Sequence, residues 1–140
     1  MVTDSSESEV GVYVMLDGKT QQITHQSGII VSHRKKYYDK NYPNNVESTL
    51  IIEKDGILLF DISVIDFELQ PGYYDWLSRW TCYDYLEIEG HKYCGGQLTS
   101  ARGHTYITST GTLSMNFYTN RWTRDKGFTL KYSYFSKYNV

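Results

Sequence analysis

Two cysteines, Cys82 and Cys94, are the only ones in a chain of 140 residues, and the segment between them alternates like a strand. Cys82-Tyr83-Asp84-Tyr85-Leu86-Glu87-Ile88 sets apolar against polar side chains, and Tyr93-Cys94-Gly95-Gly96 closes the segment on a turn. A metal clip needs more ligands close together, whereas a disulfide across neighbouring strands fits this spacing. The staple predicts an oxidising, extracellular setting. Asp84 then stands as an acidic side chain at the mouth of a stapled strand.

Size and composition narrow the classes. The length suits one domain with a sizeable core. A net charge of −2 gives no electrostatic case for nucleic acid. No apolar run approaches the roughly twenty residues that span a bilayer as a helix. Aromatic residues make up 16% of the chain, fourteen of them tyrosines. Such residues suit a pleated, half-buried surface, and Tyr and Trp also favour recognition patches. The first ten residues, polar and rich in Ser and Glu, read as a flexible end preceding a single domain over 11–140.

Turn signals punctuate the rest at the spacing of a β-sandwich. Val12 to Leu16 alternates, Asp17-Gly18 is a two-residue turn signal, and Gln21 to Thr24 is the expected return strand. This makes residues 11–27 an additional N-terminal hairpin. Further strands are expected at 28–32, 49–53, 57–69, 83–88, 104–108, 113–118 and 127–134, with 70–81 as a loop. The 3.6-residue period of a helix is absent, so the chain is all-β.

The order of several short motifs resembles the CUB domain, a family of extracellular β-sandwich modules. Gly-Ile-Ile-Val-Ser at 28–32 resembles its opening strand. Tyr-Asp-Lys-Asn-Tyr-Pro-Asn-Asn at 38–45 resembles its Tyr-Pro-Asn-Asn segment. Ile65-Asp66-Phe67-Glu68-Leu69, Cys82 to Ile88, Tyr93-Cys94-Gly95, and Leu113 to Asn120 followed by Gly127-Phe128 complete the series. The resemblance implies two packed antiparallel sheets of jelly-roll type, with Cys82 and Cys94 forming the family's second disulfide. The first is missing, because Ser48 stands in the place of one of its cysteines. A staple of this loop length contributes roughly 3 kcal/mol, so its loss is substantial. Strands added by the N-terminal segment are expected to offset it.

Many members of the family carry calcium at one end of the sandwich. The resemblance carries the ligands over to Glu68, Asp84 and Asn120, with Tyr38 packed beside them. Asn120 replaces an aspartate, keeping an oxygen but deleting a charge, so Ca2+ is expected in the weak class near 10⁻⁴–10⁻³ M. An end of this kind receives a Lys or Arg from a protein partner. The competing reading makes Glu68 and Asp84 ordinary loop-edge carboxylates, solvated or paired with Arg79 or Arg121.

The segment Pro71 to Trp80 is the most individual part of the chain. Tyr73, Tyr74, Trp76, Arg79 and Trp80 have the composition of a contact hot spot. Trp122 is expected near them. Aromatic faces also stack on sugars, so a carbohydrate ligand is the first alternative and self-association in a secreted coat or matrix the second. An exposed loop with two Trp binds or buries something. The basic run His33-Arg34-Lys35-Lys36 is short and reads as a solvated loop. Histidines 25, 33, 91 and 104 show no zinc spacing along the sequence. No nucleophile elbow appears, and the chain is read as a non-catalytic binding module.

Overall fold

A computed structural model describes residues 11–15, 18–34, 41–98, 103–120 and 125–137. These residues form twelve strands and no helix, so no helix among them is long and apolar enough to cross a membrane. In chain order the strands are β1 Gly11–Val14, β2 Thr20–Gln22, β3 Ser27–Val31, β4 Glu47–Glu53, β5 Ile57–Glu68 and β6 Tyr73–Tyr74. They continue with β7 Trp80–Thr81, β8 Tyr85–Ile88, β9 His91–Tyr93, β10 His104–Thr108, β11 Thr112–Tyr118 and β12 Gly127–Lys137. Two five-stranded sheets, β1-β3-β12-β5-β10 and β2-β4-β11-β8-β9, pack as a sandwich, and β6 and β7 form a separate small hairpin.

Period-two patterning builds the core. In β4 and β11 alternate residues point inward, so Leu50, Ile52, Leu113, Met115 and Phe117 are buried between the sheets. Burying each such side chain stabilises the fold by about 1.5–3 kcal/mol. The β8–β9 turn is set by Glu89 and Gly90 at φ 47° and 85°, the two positive values that a tight I′ hairpin demands.

The N-terminal segment corrects the expected hairpin. β1 pairs with β3 and β2 with β4, both in parallel, so the two strands join opposite sheets rather than each other. The sandwich is therefore antiparallel except at these two edges. The cause is visible at Ser48. This buried side chain accepts the Gly18 N–H at 3.0 Å, and the Thr49 N–H donates to Lys19 O at 3.0 Å. The chain crosses from one sheet to the other at that point, at the position where the resemblance implies a lost cysteine. Added strands do accompany the missing staple.

One irregularity positions the site. The pairing of β5 with β12 slips between Thr129 and Leu130, which face Asp66 and Val64, leaving Ile65 as an extra residue. Before this bulge the even residues Leu58, Phe60, Ile62 and Val64 point inward; after it Phe67 and Leu69 do. A bulge re-aims every side chain that follows it. Glu68 is thereby turned outward.

Candidate functional site

At one end of the sandwich Asp84 is fully buried, with 0% of its surface exposed. Its Oδ2 accepts the Tyr42 hydroxyl at 2.6 Å, and its Oδ1 accepts the Asn120 backbone N–H at 2.9 Å. The same Tyr42 oxygen accepts the Gln70 N–H at 3.2 Å. Burial first, and then the hydrogen bond to Asp84, push the Tyr42 hydroxyl far above its ordinary range, so it stays a neutral donor. The ring stands edge-on to Phe117 at 5.5 Å, and Phe117 stands edge-on to Phe128 at 5.1 Å. A buried carboxylate is tolerable only with such donors. Asn120 also ties in the preceding loop, because its carbonyl accepts the Asn45 N–H at 3.0 Å.

The candidate site residues differ in burial. Asp84 and Asn120 are joined, whereas the Glu68 carboxylate lies outside, 54% exposed and 3.8 Å from Lys126 Nζ. The residue of this strand end that faces Asp84's partner is Gln70, through its backbone. Tyr38, Arg121 and Trp122 lie outside the described residues. Tyr42, within the Tyr-Pro-Asn-Asn motif, bonds Asp84, a role that no sequence signal assigned to it.

The aromatic segment is a hairpin rather than a loop. β6 and β7 pair Tyr73 with Thr81 and Tyr74 with Trp80. The hairpin stands on the disulfide, for Cys82 and Cys94 are bonded with their Cα atoms 5.9 Å apart. Gly72 makes this possible. A Cβ there would meet Thr81 O at 2.5 Å and Cys94 Sγ at 2.9 Å. Its tip is locked by Asp75, whose Oδ1 accepts the N–H groups of Leu77 and Arg79, both at 2.9 Å. The hydrogen bond from the Arg79 N–H, joined by that from Leu77 and the Arg79 guanidinium, holds the Asp75 carboxyl below its usual range.

This rigid tip presents Trp76 to solvent, 88% exposed, with Leu77 beside it. Behind it Tyr73 packs on Tyr83 at 4.8 Å and Tyr74 on Trp80 at 5.1 Å, all four well exposed. Asp75, Arg79, Trp80, Thr81 and Lys92 line a shallow cleft on one side. Lys92 also lies over the Tyr85 ring, 4.5 Å from its centroid. The face thus combines bare ring surface with a few fixed polar groups.

Among the described residues no three His, Cys, Asp or Glu side chains converge as a metal cluster. Calcium, a hard cation, takes oxygen ligands; Asp84 is the one buried carboxylate among the described residues, and both its oxygens already accept hydrogen bonds.

Comparisons with known proteins bear on the family and the fold. A family model described as "CUB domain" matches residues 18–132. Cubilin from Sus scrofa is 32% identical over 116 residues, which is 80% of this chain and 3% of that protein. The chain thus spans a small fraction of that relative's length. The solved CUB1-EGF-CUB2 domains of rat MASP-1 superpose with a TM-score of 0.60 at 20% identity, covering 83% of this chain and 42% of that one. The MASP-1 CUB2 domain bound to Ca2+ gives 0.58 at 20% identity, covering 81% of this chain and 96% of that one.

Proposed function

The chain belongs to the CUB domain family of extracellular interaction modules, and on that premise we propose that it docks a protein partner through the Tyr73–Thr81 hairpin. The observation that carries this reading is Trp76, a large apolar side chain held almost wholly in solvent on a hydrogen-bonded turn. Exposing it serves no folding purpose, and fixing it in advance removes part of the ordering entropy that binding otherwise incurs. Trp, Tyr and Arg are the residues that dominate interface energies when buried by a partner. The module is non-catalytic, in keeping with its family, and acts outside the cell.

The acidic end has a supporting part. Asp84 is buried, so a Lys or Arg of the partner would meet Glu68, which is exposed and only loosely paired with Lys126. Asp84, Tyr42 and Asn120 hold the loops on which that contact rests. Calcium, bound weakly at Asp84 and Asn120, would add charge to the same end, while the hairpin stands without it.

A second reading is favoured by the cleft beside Trp80. A ring face flanked by Asp75, Arg79 and Lys92 is the arrangement that stacks on a sugar while bonding its hydroxyls. Self-association through the same rings is the third outcome.

The test presents a panel of secreted and cell-surface proteins and a panel of free glycans to the wild-type chain and to Trp76→Ser. A protein that binds wild type and loses at least about tenfold in affinity with Trp76→Ser, at unchanged melting temperature, supports the reading. A protein partner that ignores the substitution overturns it. Competition by free sugar selects the glycan reading, and concentration-dependent sedimentation lost in Trp76→Ser selects self-association.

A further inference from the structure

On the outer face of the second sheet, strand register brings five side chains together. Glu47 of β4 faces Tyr118 of β11, and Tyr118 faces Tyr85 of β8. One row along, Glu87 of β8 faces Lys92 of β9, whose ammonium leans back over the Tyr85 ring, 4.5 Å from its centroid. Their chain neighbours Val46, Leu86 and Phe117 are buried, so by strand parity this set points away from the core. Tyr85 and Tyr118 stack with ring centroids 5.3 Å apart and planes 25° from parallel. Lys92 approaches Tyr85 from the β9 side and Tyr118 from the β11 side, so the second face of Tyr118 is turned toward β4 and Glu47. Burial first, and then the neighbouring Glu87, Tyr118 and Glu47, hold the Tyr85 hydroxyl above its ordinary value, so both carboxylates act on this stack.

The two ends of the stack have the same parts but for one. At the β9 end a ring, a carboxylate and a cation stand together as Tyr85, Glu87 and Lys92. At the β4 end Tyr118 and Glu47 repeat the ring and the carboxylate without the cation. Glu47 is exposed, and among the described residues no ion pair involves it, the exposed Lys19 before β2 included. We propose that this position receives an arginine of a protein partner, its guanidinium stacked on Tyr118 and paired with Glu47. A guanidinium is planar, so it lies on a ring while presenting N–H groups to a carboxylate, a combination that a compact ammonium matches less well. The inference rests on the reading of the chain as a protein-docking module and adds the chemistry of a second contact. Tyr83, two residues before Tyr85, packs on Tyr73 of the hairpin, so one partner can cover both places. Glu47 belongs to the second sheet and Glu68 to the first, so the two acidic contacts are separate.

The experiment titrates a capped Gly-Gly-Arg-Gly-Gly peptide into the isotope-labelled chain and follows residue-resolved NMR shifts. The expected result is saturable shifts centred on Glu47 and Tyr118, with an affinity that falls as salt is added. Glu47→Gln should weaken binding about three- to fivefold, and Tyr118→Leu should weaken it as well. Glu47 is exposed, so its variant decides the matter even where Tyr118→Leu fails to fold. A matched peptide carrying citrulline, which keeps the shape without the charge, should not bind, and a lysine peptide should bind less tightly. Trp76→Ser should leave the titration unchanged, so a failure here leaves the hairpin reading standing. Binding lost in Trp76→Ser would place the peptide on the hairpin and overturn the proposal. Absence of saturable shifts at Glu47 and Tyr118, or equal binding by Glu47→Gln, overturns it too.

Discussion

The Tyr42 hydroxyl donates to Asp84 Oδ2 across 2.6 Å in the interior, and accepts in turn from the Gln70 N–H. This one pair ties the end of β5 and the start of β8 to the loop before β4. The same oxygen serves both loops, so their positions are coupled, and the aromatic hairpin grows out of the two chain segments it holds. Leu69 and Gln70 also exchange backbone hydrogen bonds with Gly95 beside the disulfide, at 3.0 and 3.2 Å. The candidate contact surface thus rests on a buried polar network rather than on loop packing alone.

Removing the donor tests that network. Tyr42→Phe keeps the ring on Phe117 but withdraws the phenolic proton from a buried carboxylate. The expected loss is about 1–3 kcal/mol of stability, read as a lower urea midpoint at unchanged slope. A midpoint equal to wild type would mean that the Asp84 carboxylate does not depend on this bond.

Alkaline pH should unfold the chain through its tyrosines. Tyr42, Tyr106 and Tyr132 are all held above the ordinary value of 10.0, in each case first by burial. A phenol raised in the folded state contributes stability that is complete below the unfolded value. That stability is lost as pH climbs through the folded one, because the unfolded chain ionises first. Tyr13 runs the other way. Burial raises it, but hydrogen bonds from Thr24 and His25 outweigh that and lower it, so its contribution grows as the pH rises. Three strongly raised groups against one lowered group leave a net decline above pH 10.0. A melting temperature level from pH 10 to 12 would contradict it.

The sandwich was legible because period-two patterning and the turn residues report directly on strands. The bulge was not. Ile57 to Leu69 reads as one apolar segment, and nothing in Val64-Ile65-Asp66 announces which residue is extra, yet that residue decides whether Glu68 faces in or out. The N-terminal strands failed for a related reason. Asp17-Gly18 has hairpin chemistry, but pairing is settled by long-range partners, here Ser48 and Thr49, that a local signal does not contain. The aromatic segment stood out by composition but read as a loop; its hairpin pairing and fixed tip depend on Gly72 and Asp75, two small residues whose roles need the fold.

Docking of β1 depends on Gly28. A Cβ there would meet Gly11 O at 2.2 Å, and the obstacle is backbone that cannot rotate away. Gly28→Ala should therefore release β1 from β3 while leaving β5, β11 and β12 paired. Hydrogen exchange reads this directly, with lost protection at Tyr13 and Met15, the amides on the side of β1 that faces β3, and retained protection at Leu130. Full protection throughout would show that the sheet accommodates the methyl group.

Calcium should be weak, and a single charge should set how weak. With one buried carboxylate at Asp84, the wild-type chain falls in the class near 10⁻⁴–10⁻³ M, so its melting temperature should rise only as calcium approaches millimolar. At ten times the dissociation constant the stabilisation is only about 1.4 kcal/mol. Asn120→Asp adds a second carboxylate beside the first. Without the ion two like charges repel, so the variant should melt lower than wild type; with it, the extra charge should tighten binding and reverse the order. That crossing is the signature of an ion between residues 84 and 120, and Asp84→Asn should abolish it. Melting curves that ignore calcium in both wild type and Asn120→Asp would mean that this end is organised without the ion.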